Sequence, residues 1–142
     1  MTIKLRHLGV RGSRPVGKRS LLGYGGNSTA FEIIIPEENF YLFIDGGSGL
    51  AKRGRELGET PEHSKFHFLV THTHWDHILG YPFFKPIYSE KNHFKFYASQ
   101  TERSSFNDIF FGLQKADNLP VPRKNLKANI KFQTIVPEQS FM

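Results

Sequence analysis

Apolar positions in this chain fall in short runs separated by polar stretches rich in Gly and Pro, a pattern of strands more than of long helices. Residues 3–10 and 28–35 read as strands, the second from its β-branched and aromatic content, and Phe40-Tyr41-Leu42-Phe43-Ile44 reads as a third. Pro36-Glu37-Glu38-Asn39 is the predicted turn between the last two. The stretch from Gly9 to Gly26 is a Gly- and Arg-rich loop long enough to suggest a functional role. Leu50 to Leu57 has helix-forming composition and stops near Gly58, with Pro61 beyond. A strand over Phe66 to Val70 then runs into a histidine cluster. After it, Ile78 to Phe84 is read as one or two helical turns cut short by Pro82 and Pro86. A strand over His93 to Tyr97, a helix from about Glu102 to Gln114 and a last strand over Ala128 to Phe132 complete the pattern. Strands outnumber helices, so the fold class is mixed, α/β or α+β, and the lack of a repeat or linker predicts one domain.

Composition narrows this picture. A chain of 142 residues can bury a real core, and no apolar stretch approaches the roughly 18 residues of a membrane span. No partner in a membrane is expected, and the N-terminus lacks the pattern of a secretory signal, which predicts a cytoplasmic protein. The Asn27-Ser28-Thr29 glycosylation pattern therefore has no context in which to act. With no cysteine, disulfides, Cys-ligated zinc and a Cys nucleophile are excluded. Nineteen basic against 13 acidic residues give a net charge of +6, which favours anionic partners such as phosphate esters, with nucleic acid among them. The charge is spread: Lys18-Arg19, Lys52-Arg53-Gly54-Arg55 and Arg123-Lys124 read as solvated faces.

The strongest chemical signal is His72-Thr73-His74-Trp75-Asp76-His77, three histidines and one aspartate directly after a strand. In extended backbone His72 and His74 project to the same side, so both can reach one ion. Asp76 and His77 come where the chain turns toward a helix and can address a second. Imidazole and carboxylate donors without thiolate suit Zn²⁺, and also permit Mn²⁺ or Fe. Such an ion lowers the pKa of bound water from about 15.7 to about 7, so metal-bound hydroxide becomes available for hydrolysis. Thr73 and Trp75, between the ligands, read as packing residues. His7, His63, His67 and His93 read as ordinary structural or surface histidines.

Thr71-His72-Thr73-His74-Trp75-Asp76-His77-Ile78-Leu79-Gly80 resembles the signature loop of the metallo-β-lactamase superfamily, and Phe43-Ile44-Asp45-Gly46-Gly47-Ser48-Gly49 looks like its strand-to-helix aspartate motif. Gly9 to Pro15, Tyr24 to Ser28 and Gly80 to Phe84 look like the branch of phosphodiesterases and tRNA 3′-processing nucleases. The resemblance implies an αββα sandwich of two sheets, two divalent ions, and a hydrolase. It implies metal ligation by His72, His74, Asp76 and His77, with Asp76 at the reacting centre. For Asp45 it implies support of the ligand loop in place of direct coordination. The glycine-rich turn after Asp45 reads either as a helix N-terminus suited to anions or as a tight connection only.

In that family a third histidine, a bridging aspartate and a last histidine lie well downstream. After His77 this sequence offers only His93, Asp108 and Asp117, none in a comparable motif. Residues 1–142 are accordingly expected to be the N-terminal part of a single domain, supplying about one half of the sandwich, with the C-terminal part absent. Arg11 and Arg14 on the first loop are candidates to meet an anionic or phosphodiester substrate, and Asn27 to orient that loop, against plain surface and turn roles. The rival readings are a hydrolase of thioesters, lactones or sulfate esters, and a non-catalytic module whose basic loop from Arg11 to Arg19 binds a nucleotide or nucleic acid.

Overall fold

The computed structural model describes residues 2–58, 63–101, 103–115, 117, 119, 121, 123–138 and 140, excepting the Leu22 side chain. Among the described residues six strands form one mixed sheet in chain order: β1 (Lys4–Gly9), β2 (Ala30–Ile34), β3 (Tyr41–Ile44), β4 (Lys65–Val70), β5 (His93–Ala98) and β6 (Asn129–Thr134). Strands β1 to β3 are antiparallel neighbours, and β3 to β6 run parallel. The change of direction follows from the connections. The turn after Ile35 reverses the chain, whereas the crossovers carry α1 (Ser48–Leu57), α2 (Trp75–Ile78) and α3 (Phe106–Leu113).

Register explains the wealth of phenylalanine. Tyr41 pairs with Phe66 and Phe66 with Phe94, while Phe43, Phe68, Phe96 and Phe132 pair successively from β3 to β6. Because paired residues share a sheet face, their rings stack into two ladders with centroids 4.7–5.5 Å apart. Phe84 and Tyr81 meet these ladders edge-on, and Phe106 and Phe110 tilt against Phe96. Strand and helix thus join through aromatic contact. On the opposite face Phe31, Ile33, Leu42, Ile44 and Leu69 are only half-buried and Leu5 is exposed.

Several predicted boundaries shift. Helix α1 starts at Ser48, two residues before the expected Leu50, since the glycine turn joins strand to helix directly. Helix α2 begins at Trp75, inside the histidine cluster. Pro82 and Pro86 do not cut a helix short; each sits in the first turn of its own 3₁₀ segment, Tyr81–Phe83 and Lys85–Tyr88, where a missing N–H costs nothing. The long first loop contains a 3₁₀ segment of its own, Arg19–Tyr24. Helix α3 is shorter than expected, because Ser105 caps it by accepting from the Asp108 amide, 3.2 Å away. Glu102 and Pro61, named in the sequence reading, lie outside the described residues.

Two basic clusters are more than solvated faces. Arg53 grips the buried Glu32 through two hydrogen bonds of 2.8 and 2.9 Å, and Arg6 adds a third of 2.8 Å. Arg123 lies over the Phe111 ring at 3.6 Å. No helix among the described residues is long and apolar enough to cross a membrane.

Candidate functional site

Strand β3 ends at Ile44 and β4 at Val70, side by side and parallel, so the segments that follow them emerge at the same edge of the sheet. This puts Asp45 beside the histidine loop. Asp45 adopts a left-handed backbone, φ 58°, which Asp tolerates better than most residues. Its amide donates to Leu69 O at 2.9 Å, and its carboxylate is 2% exposed. That carboxylate accepts from the Thr71 amide (2.9 Å), from the Thr71 hydroxyl (2.9 and 3.0 Å) and from His77 Nδ1 (2.7 Å). Asp45 therefore braces the histidine loop at Thr71 and His77.

These bonds dictate how the imidazoles stand. A carboxylate only accepts, so His77 donates to Asp45 from Nδ1–H and turns Nε2 the other way. The Thr71 hydroxyl has one hydrogen and directs it at Asp45, so it can only accept from His72 Nδ1, 3.1 Å distant. Asp45 thus orients His77 directly and His72 through Thr71. The rings of His72 and His74 approach to 4.7 Å and those of His72 and His77 to 4.0 Å.

Asp76 and His77 come where the chain turns into a helix, as read from sequence. Both lie in the single turn of α2, and His77 Nε2 faces Asp76 Oδ2 at 3.2 Å. The same Asp76 oxygen accepts from the Ser13 amide at 2.8 Å, across 63 residues of chain. Ser13, like Asp45, has a positive φ, 60°, and the conformation aims its N–H at the cluster. Burial raises the Asp76 pKa, but the Ser13 and local amides and the nearby His77 and His72 outweigh it and hold the carboxyl below its ordinary value.

The donors, three imidazoles and a carboxylate, fit a divalent ion in kind. Among the described residues, however, no group of three or more of them is arranged so as to hold one. What the loop presents is a set of close pairs.

The glycine turn is a packing device. A Cβ on Gly46 would lie 2.2 Å from the Tyr81 ring, one on Gly47 2.3 Å from Asp76 O, and one on Gly80 2.1 Å from Gly47 O. The missing carbons let the turn and the histidine loop touch, with Gly46 N donating to His77 O at 2.6 Å and Gly80 N to Gly46 O at 2.7 Å. The anion reading of the α1 N-terminus is not supported. The Gly47 amide is taken by Thr29 O and the Ser48 amide by Ser28 Oγ, both at 2.9 Å.

Asn27 serves that clamp: its side-chain oxygen accepts from Ser48 Oγ at 3.0 Å, while its carbonyl receives the Val10 and Arg11 amides. Arg11 Nε donates to Gly25 O at 2.9 Å and so closes its own loop; Arg14 is exposed. Neither reaches the histidines through a hydrogen bond. Trp75, expected to pack, is 72% exposed, because Asp76 and Ile78 take the inward positions of the short α2. Ser13, Thr71 and the Ser28–Ser48 pair were not singled out from sequence. Thr71 had a signal, its hydroxyl standing next to a candidate ligand; Ser13 had none, since only folding brings it to Asp76.

A mixed sheet covered by helices, with the histidine loop at the edge where parallel strands end, is the architecture this chain shares with one half of a metallo-β-lactamase-fold structure. No protein-family model matches the chain, and no curated protein does. Among solved structures it is similar to the metallo-beta-lactamase fold protein YhfI from Bacillus subtilis, with a TM-score of 0.56 and 16% identity over 99% of this chain. The chain spans about half, 49%, of the length of that structure.

Proposed function

We propose that this chain contributes the first half of a binuclear, metal-dependent hydrolase site, with His72, His74, Asp76 and His77 as ligands and an anionic ester, a phosphodiester in the leading case, as substrate. The carrying observation is the 3.2 Å approach of His77 Nε2 to Asp76 Oδ2. With Nδ1–H engaged by Asp45, Nε2 of His77 and the Asp76 carboxylate converge on one another, so a divalent cation can take both as donors. His72, oriented by Thr71, and His74 stand beside that pair.

Bound there, divalent ions supply activated water and neutralise charge on the ester, with zinc the first choice and manganese or iron alternatives. The chain's own part is to fix the two imidazoles through Asp45 and to anchor Asp76 through the Ser13 amide. The remaining donors come from outside these 142 residues, consistent with a neighbour twice as long. The half-buried Phe31, Ile33, Leu42, Ile44 and Leu69 are then the face on which the second sheet of the sandwich packs.

One observation favours a second reading, a binding module without turnover: no three donors stand ready to hold an ion among the described residues. Metal content and turnover of a generic aryl phosphodiester, measured for the chain and for His74→Ala, separate the two. The hydrolase reading expects bound metal that falls at least about tenfold in affinity on His74→Ala, in line with the loss of a ligand. Metal retained equally by the variant overturns the ligand assignment. Binding of a phosphate-rich ligand that survives chelation and weakens with salt selects the module.

A further inference from the structure

Beside the histidine loop runs an open groove of about 700 Å³. Its lining includes Thr73 and Trp75, the two residues flanking His74, so the groove and the ligand loop share a wall. Trp75 (72% exposed) and Phe83 (51% exposed) line it with Pro82, Ile109, Leu113 and Leu119. Large aromatic side chains left in water cost free energy that packing elsewhere would recover, and here two share one concavity. The volume is that of a small-molecule site. Among the described residues no Lys or Arg lines it, and Asp117 is its single charged residue. In a chain of net charge +6, this groove is therefore unsuited to a phosphate group or a nucleic-acid backbone.

We infer that the groove is a binding subsite for an uncharged planar aromatic group, held against Trp75 and Phe83. If the His72 loop is the hydrolytic centre proposed above, this group is the aromatic portion of the ester whose reacting end lies at His72 and His74. That assignment rests on the hydrolase reading; recognition of the aromatic group does not.

Trp75 is the one tryptophan of the chain, so its fluorescence reports on the groove directly, with no metal and no turnover. The full chain, with chelator present, is titrated with adenosine as an uncharged aromatic probe, with cyclohexanol as an aliphatic control and with inorganic phosphate. The expected result is saturable quenching by adenosine alone, weakened at least about fivefold in Phe83→Ala, the lower end of what an aromatic–base stack contributes. Phe83 is exposed, so its truncation leaves the core intact. No saturable change, an equal response to cyclohexanol, or an unchanged affinity in Phe83→Ala overturns the inference. So does Trp75 emission that depends on protein concentration and ignores adenosine, the signature of a second copy in the groove. Metal binding lost in His74→Ala with adenosine quenching intact separates the two sites; quenching absent while metal binding holds sinks the subsite and spares the hydrolase reading.

Discussion

Thr71 shows how a residue with no chemistry of its own can decide the chemistry of its neighbours. Its hydroxyl stands between a buried carboxylate and an imidazole, donating to the first and accepting from the second. Thr71→Val should remove the bond that selects the His72 tautomer and leave Asp45 short of one donor. The expected effects are a loss of about 1–3 kcal/mol in unfolding free energy and a mixture of His72 tautomers in nitrogen NMR of the metal-free chain. Thr71→Ser should restore both; an unchanged His72 spectrum in the valine variant would contradict the relay. The proposed ligands stood out in sequence because three histidines and an aspartate after a strand are rare and chemically matched. Their supporting contacts were not, since a serine 63 residues from Asp76 carries no local mark of its use.

Among the elements, the strand-to-helix turn after β3 does the positioning. Close approach of two backbones demands glycine at Gly47 and Gly80, and the Tyr81 ring demands it at Gly46, a requirement distinct from turn conformation, since the left-handed residue in that turn is Asp45 itself. Gly47→Ala should force a Cβ against the carbonyl oxygens of Asp76 and Thr29, 2.3 and 2.5 Å away, and cost about 1–3 kcal/mol or more. In α3 a Cβ on Gly112 would meet nothing within 4 Å among the described residues, so Gly112→Ala should stabilise by about 0.5–1 kcal/mol. Urea titration of both variants reads the contrast, and equal effects would discredit the packing account. Strands were read from their apolar runs to within a few residues. The start of α2 inside the cluster escaped because four residues are too few for a helical period to show.

Over the whole molecule, register and pH meet at His67. It lies on the half-buried sheet face, its Nδ1 3.1 Å from Tyr97 OH and its ring against Phe40, with Lys95 and Lys65 as the charged neighbours. Burial first, and then those two lysines, hold its pKa below 6.5. The unfolded chain binds a proton there that the folded chain refuses, so this contribution to stability is complete above pH 6.5 and drains as pH falls toward the lower folded value. Urea midpoints between about pH 7 and 5 should therefore fall less steeply in His67→Phe than in the parent chain. Identical slopes would remove His67 as the cause.

By itself the sequence determined which atoms are available: imidazole and carboxylate donors in one loop, an acidic residue after β3, strands rich in phenylalanine, and no thiol. Those are properties of residue type and near spacing, which a linear chain displays. Only the tertiary structure decided that β3 and β4 run parallel and deliver Asp45 to Thr71 and His77, that Ser13 reaches Asp76, and that Trp75 faces a groove and not the core. Each depends on residues far apart in sequence meeting in space, and pairing direction and register set that meeting.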